Sequence, residues 1–393
     1  MAAGRAEEKR IPVPEAVIVE AVRSPVGKRN GVLSGLHPAD LSAQVLNGLV
    51  TRAGVDPALV DDVVWGCVGQ VGEQTGDIAR TAVLSAGWPE TVTGVTVDRQ
   101  CGSSQQAVHF VAAGVVAGHY DVAVAGGVES MSRVPMGSAG SLLGNPFGPK
   151  FHERYGVDPD QGTGAEMIAE RWGFDRRALD GFALASHEKA AAAQDAGSFA
   201  DEIIPIHTGD GVVVDTDQGI RRGGTLETMA QIKPAFRADG VIHAGNASQI
   251  SDGAAALLFM SAEKARSLGL KPIARVHTAV LAGDDPVIML TAPIPATEKA
   301  LRRSGLRLEE IGVFEVNEAF ASVPMAWLRD IGANEKSLNP NGGAIALGHP
   351  LGGSGARLMT TMLHHMRSKS IRYGLQTMCE GGGQANATII ELL

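Results

Sequence analysis

The sequence predicts an α/β protein built from two similar halves that share a helical layer. Three observations lead there. Strand-like segments alternate with segments of helical periodicity, the pattern of a mainly parallel sheet covered by helices. The order of segments in the first third recurs in the last third. Between them, residues 132–249 lose that texture and become rich in Gly, Pro and Ser, which reads as an inserted, loop-rich α domain.

Composition narrows the class. The chain has 393 residues, 44% hydrophobic and 20% charged, a globular balance with room for two or three domains or one large α/β unit. Its 50 glycines cluster beside strands and helix starts, marking close backbone approaches rather than low complexity. A net charge of −9 argues against nucleic acid or an anionic membrane as partner. Three cysteines, at 67, 101 and 379, give no disulfide framework and no metal spacing, so a reducing cytoplasm is expected. No apolar run approaches the ~18 residues of a membrane span. Residues 1–13 are polar, lack a signal-peptide core and read as a flexible tail.

The elements follow in order. Residues 16–22 form a first strand, and 23–31 a Pro/Gly loop carrying Arg23, Lys28 and Arg29. Residues 38–53 are helical, with Leu41, Val45, Leu46, Leu49 and Val50 on one face. Residues 61–68 are a strand in which Cys67 is most simply core, and 76–86 a helix. Residues 93–97 are a β-branched strand ending at Cys101. Residues 107–119 then carry almost no charge, the mark of a buried helix. Residues 121–131 are a strand opening into a Gly-rich turn. In the insert, a first irregular stretch is expected at 132–164, helices at 165–172, 176–196 and 198–203, and a second irregular stretch at 209–240. Strands return at 254–260 and 273–280, and a helix at 295–304. Residues 309–320 repeat the texture of 61–66, and 337–355 leading into a helix at 356–367 repeat the Cys101 region. The chain closes on a hairpin, 374–379 and 386–392, bent around Glu380-Gly-Gly-Gly383.

Four groups carry candidate chemistry. Cys101 sits where a strand meets a buried helix. The free N–H groups there are expected to lower its pKa and to stabilise an adjacent oxyanion. The simpler reading is a small buried hydrophobe. Asn317 follows a buried strand; it is suited to hold a water or carbonyl, or more simply to cap a helix. His349 lies among glycines that let a ligand approach. Cys379 precedes three glycines, and no Lys-Ser/Thr follows to make a phosphate loop. No dinucleotide fingerprint and no metal cluster accompanies them. A thiol with a His is the pattern of covalent acyl transfer, and a second thiol is a proton-transfer partner.

Six motifs now stand in order: Asp98-Arg-Gln-Cys101-Gly-Ser-Ser-Gln-Gln, Gly126-Gly-Val-Glu-Ser-Met, Gly245-Asn-Ala-Ser248-Gln-Ile-Ser-Asp252-Gly, Asn317-Glu-Ala-Phe320, Asn341-Gly-Gly-Ala-Ile-Ala-Leu-Gly-His349-Pro and Cys379-Glu-Gly-Gly-Gly-Gln384. Together they resemble the thiolase family of acetyl-CoA acetyltransferases and 3-ketoacyl-CoA thiolases. The resemblance implies a layered αβαβα thiolase-like fold. It implies residues 14–131 with 250–272 as the N-terminal half, 132–249 as the insert and 273–393 as the C-terminal half. It implies Cys101 as the S-acylated nucleophile and His349 as its proton acceptor, with an Asn317-held water completing one oxyanion hole. Cys379 is then the acid/base at the α-carbon, and the Cys101 and Gly381 N–H groups form a second oxyanion hole. Arg221, Phe236, Ser248 and Phe320 match CoA-contacting positions. Coenzyme A is a substrate, no cofactor or metal is required, and a homo-oligomer, dimer or tetramer, is expected.

Three positions depart from the family pattern. Where biosynthetic short-chain members carry His-Met-Gly, this chain has Asp160-Gln161-Gly162, which leaves room for a longer or bulkier acyl group. Glu380 replaces a small or apolar residue and is expected to point away from Cys379. Ala385 replaces a usual Gly. Two other readings are a ketoacyl-synthase-like condensing enzyme, which Cys379 argues against, and a non-catalytic acyl-CoA- or lipid-binding relative, which the presence of all four reactive groups argues against.

Overall fold

The computed structural model describes residues 14–393, with 141–143 described by backbone alone; the tail expected at 1–13 lies outside the described residues. The strands are β1 (Ala16–Arg23), β2 (Gly27–Lys28), β3 (Asp62–Gly66), β4 (Thr93–Val97), β5 (Val122–Ser130), β6 (Ile206–His207), β7 (Val213–Val214), β8 (Ser251–Ser261), β9 (Ala274–Gly283), β10 (Val313–Val316), β11 (Tyr373–Glu380) and β12 (Gln384–Leu392). They run β10-β11-β12-β9-β1-β8-β5-β3-β4, with β2 beside β8 and β6-β7 apart as a hairpin.

The two ends of this sheet repeat one another. In the first half β3 pairs parallel with β4 and β5, and β8 pairs antiparallel with β5 and β1. In the second, β10 pairs parallel with β11, and β12 pairs antiparallel with β11 and β9. A parallel bridge from Phe314 to Leu338 stands where β4 stands in the first half. The expectation of a mainly parallel sheet is therefore corrected. Pairing is parallel at the two ends and antiparallel through the middle, because each half adds two antiparallel strands to its βαβ end.

The halves join at β1 and β9 through only two residue pairs, Val17–Arg275 and Ile18–Ala274. Two central helices, Ser103–Val116 and Leu351–Lys369, fill the space between the leaves. Ala107, Val108, Val111 and Val115 meet Met359, Met362, Leu363 and Met366 there, with Phe259 and Ile390 from the strands. Helices Pro38–Ala53 and Ile78–Ser85 cover the outer face of the first leaf. Helices Pro293–Ser304 and Ser322–Ile331 cover that of the second. The result is the five-layer αβαβα order. Local signals fix the ends: Pro38 starts its helix at N1, and Gly54, at φ 65°, closes it in the left-handed region.

The central helices approach backbone to backbone. A Cβ on Gly355 would sit 2.3 Å from the Gln105 nitrogen, and one on Gly352 would sit 2.5 Å from the Val128 carbonyl. These glycines bring the start of the second helix, and His349 just before it, against the Cys101 turn. Gly355→Ala is expected to cost about 1–3 kcal/mol through overpacking. A urea titration checks this, and an unchanged midpoint would contradict it.

The insert differs from expectation in detail. Residues 138–143 and 149–155 are short helices inside the first irregular stretch. Residues 198–203 form turns, not a helix. There the Arg23 N–H donates to Glu202 O (2.8 Å), and the Ile204 N–H donates to Arg23 O (2.8 Å). The buried Arg23 guanidinium pairs with both Glu202 and Asp217 (2.5 and 2.7 Å), so the segment is held by this ion cluster rather than by a helical ladder.

Candidate active site

Four loops at element ends converge. The first leaves β4 and turns through Gln100, at φ 49°, into Cys101. The Ser103 hydroxyl donates to Gln100 O (2.6 Å) and accepts the Arg99 N–H (2.9 Å), which tightens the turn. The second turns from β11 through Gly381 to Gly383 into β12. These loops touch: the Arg99 Nη1–H donates to Gln384 Oε1 (2.9 Å), and the Gln100 side chain lies over Gly381. Cys101 and Cys379 are both buried, and close enough that a thiolate on Cys101 would raise Cys379.

The third loop carries Asn317 and the fourth His349, both buried. The Ser354 hydroxyl donates to Pro350 O (2.8 Å), so its oxygen accepts from His349 Nδ1–H (2.6 Å). That leaves Nε2 as the lone-pair nitrogen. The Asn317 Nδ2–H points at the same Nε2 (3.4 Å), while Asn317 Oδ1 is buried with no protein partner among the described residues. Asn317 is thus not a helix cap. Ser354→Ala is expected to lower turnover about fivefold by releasing the imidazole tautomer, worth roughly 1 kcal/mol. Turnover assays with a folding control check it, and wild-type kcat would contradict it.

Electrostatics corrects two expectations. The Cys101 thiol is pushed up to about 12, by burial first and by Glu380 second. The expected lowering by the helix start is overcome, because Cys101 precedes the cap at Gly102 and has lost its water. Glu380 was expected to point away from Cys379 and so to leave that thiol unaffected; the effect is present all the same. The Glu380 carboxyl lies against Gly102, and it raises both Cys101 and Cys379. Burial pulls His349 down to about 3, with Arg357 adding to the effect, so the imidazole is neutral. Cys379 stands well above its ordinary value through burial, then Cys101, then Glu380.

Three of the four expected CoA contacts gather. The Phe236 and Phe320 rings stand edge to face, 5.8 Å apart, and the Ser248 N–H donates to Ala319 O (2.8 Å). Phe236 covers Gly162: a Cβ there would lie 2.1 Å from the ring, so the glycine that this chain shares with the His-Met-Gly pattern is required by the ring packed on it. Asp160 caps the following helix, Gln161–Trp172, by accepting the Thr163 N–H (2.8 Å). Arg221 has an exposed side chain, and its N–H donates to His187 Nδ1 (3.0 Å). Among the described residues, no group of three or more His, Cys, Asp or Glu side chains is placed to hold a metal.

Family models for the N-terminal and C-terminal domains of thiolase match residues 16–263 and 270–392. The chain belongs to the thiolase family. It is 50% identical to a steroid 3-ketoacyl-CoA thiolase of Mycobacterium tuberculosis, over 96% of this chain and 94% of that one. It is 44% identical to a 3-ketoacyl-CoA thiolase of Erwinia tasmaniensis, over 96% and 99%. A solved Bacillus anthracis acetyl-CoA acetyltransferase superposes with a TM-score of 0.90 at 38% identity, over 97% and 99%.

Against the other members of this thiolase site, three positioning residues escaped the sequence reading. Ser354 follows His349 by five residues on the same turn, a spacing visible in the sequence. Glu129 accepts from the N–H groups of Val68 (3.0 Å), Gly69 (2.9 Å) and Gly352 (2.8 Å), capping the helix after His349. Glu318 accepts from the Ser186 hydroxyl (2.6 Å) and the Ile345 N–H (3.2 Å), anchoring the loop before His349. Both acids lie inside motifs, but nothing in the sequence marks them as buried.

Proposed function

We propose that this thiolase cleaves 3-ketoacyl-CoA with CoA, giving an acyl-CoA shortened by two carbons and acetyl-CoA, through an S-acyl intermediate on Cys101. The reverse Claisen condensation of acetyl-CoA uses the same groups. The observation that carries this reading is two buried thiols in one site with a neutral imidazole whose Nε2 bears the lone pair, met only by the long contact from Asn317.

In the cleavage direction the Cys101 proton passes to His349 Nε2, and sulfur adds to the 3-keto carbon. Breakage of the C2–C3 bond leaves an acyl thioester on Cys101 and an acetyl-CoA enolate, whose α-carbon takes the Cys379 proton. CoA thiol then adds to the acyl group as its proton passes to the Cys379 thiolate, and Cys101 departs as the thiol by taking back the proton held on His349, which restores the resting site. Both cysteines and the His are neutral at rest, so charge separates only once the developing oxyanion is held. We assign that holding to the Asn317–His349 pair with a water on one side, and to the Cys101 and Gly381 N–H groups on the other. Arg221, Phe236, Ser248 and Phe320 are assigned to CoA. Coenzyme A is a substrate, and no further cofactor takes part.

The acyl group is assigned to the apolar wall at Cys101: Met131, Leu351 and Met378, with Val68 and Ile250 at its edge. This wall, and Asp160-Gln161 in place of the His-Met of short-chain members, favour longer or ring-bearing acyl groups over acetoacetyl-CoA, and a relative named as a steroid 3-ketoacyl-CoA thiolase points the same way. Thiolysis of a graded panel, from acetoacetyl-CoA to long-chain and ring-bearing 3-ketoacyl-CoAs, tests it. The kcat/KM maximum is expected beyond acetoacetyl-CoA; a maximum at acetoacetyl-CoA would overturn the substrate assignment. We also read the chain as a cytoplasmic homo-oligomer, dimer or tetramer. The exposed Val95, Phe110 and Val116, beside the end strand β4 and on its neighbouring helix, support this association. Light scattering on the purified chain checks it, and a monomer would contradict it.

A further inference from the structure

Glu380 is the buried acid that the mechanism above does not use. It is fully inaccessible and makes no ion pair within the described residues. Its Oε1 accepts the Asn386 N–H (3.0 Å), while its Oε2 finds no partner among the described residues. Asn386 Oδ1, buried beside it, finds none either. Both side chains press on the residue after the nucleophile: a Cβ on Gly102 would lie 1.9 Å from Glu380 Oε1 and 2.8 Å from Asn386 Oδ1. A carboxylate here leaves two buried acceptors without a donor. A protonated carboxyl brings the missing donor, which is the cheaper arrangement in a dry interior.

We propose that Glu380 is a positioning residue that works as a neutral carboxylic acid, bracing the Cys101–Gly102 turn from behind, and that its ionisation suppresses thiolate formation at Cys101. The proposal rests on Cys101 being the nucleophile. The charged and titratable groups facing this corner are Asp98, Arg99 and Cys101 from the turn, His109 from the central helix, Glu129 from β5, and Cys379 from β11. Arg99 is the one cation among them; its Nη1 is engaged by Gln384, and its Nε, buried without a partner among the described residues, makes no hydrogen bond or ion pair with Glu380. His109 reaches the corner through Asn386 Nδ2 (3.3 Å) and is held neutral, at about 3, by burial. No facing group therefore neutralises a carboxylate directly. Burial pushes Glu380 up to about 8, against the smaller pull of Arg99 and the Asn386 N–H. The sign follows. Below that pH the acid is neutral and the turn is braced; above it a carboxylate stands behind Cys101 and opposes its thiolate.

The test reads the thiol itself, so it stands whatever the turnover assay gives. Iodoacetamide alkylation of Cys101 is followed from pH 6 to 10 by peptide mass spectrometry, in wild type, Glu380→Gln and Glu380→Ala. A simple thiol below its pKa gains tenfold in rate per pH unit. The wild type is expected to bend below that slope near pH 8. Glu380→Gln, which keeps the shape but cannot ionise, is expected to lose the bend, to react about fivefold or more faster at pH 9, and to keep kcat at pH 7 within about threefold. Glu380→Ala is expected to lose the bend too, and about tenfold in kcat with the brace gone. An unbent wild-type profile would overturn the proposal even if neither variant folds. So would a Glu380→Gln profile identical to wild type, or a folded Glu380→Gln with kcat at pH 7 reduced a hundredfold.

Discussion

Cys101→Ala is expected to lower thiolysis and condensation by about 10⁴-fold or more, because it removes the group assigned to carry the acyl chain. The loss should lie in kcat. CoA binding should survive, since Phe236, Phe320 and Ser248 sit on other loops. The substitution removes one sulfur from a turn held by Ser103 and Arg99, so folding should be little changed. Steady-state kinetics with a melting curve checks this. Turnover within a hundredfold of wild type would show that the chemistry does not pass through this thiol.

His349→Ala is the second large effect, expected at about 10²–10⁴-fold in kcat, the usual worth of a positioned base. Removing the ring takes the proton acceptor from Cys101 and the partner from Asn317 in one step. Wild-type turnover should show no acid limb from this residue above about pH 5, because burial holds the imidazole near 3 and its base form is fully populated there. A limb near pH 6.5 that vanishes in His349→Ala would contradict that environment.

Much of this was legible in the residues. His349 and Cys379 each stood at an element end among glycines, and Asn317 at the end of a buried strand; the structure puts Asn317 against His349 and the loop after Cys379 against the Cys101 turn. The duplicated halves were legible because β3 and β10 carry the same apolar texture before their loops. The direction of the central strands was not. A buried strand reads the same whether its neighbour runs parallel or antiparallel, and β8 reaches its place only after the long insert returns. The thiol environment was misjudged because a helix start and burial act in opposite directions, and only the fold shows how dry Cys101 is. The effect of Glu380, rather than its direction, was misjudged for a related reason. Strand alternation sends its side chain to the face opposite Cys379, but that face is where Gly102 leaves a space for the carboxyl.

The central claim is that the acyl group resides on Cys101 while Cys379 moves the proton. The direct measurement uses Cys379→Ala, mixed with an acyl-CoA and quenched in acid, with the peptide containing residue 101 analysed by mass. The account predicts near-stoichiometric acylation of Cys101 with steady-state thiolysis reduced about 10³-fold or more. An acyl adduct on another residue, or full turnover without Cys379, would contradict it.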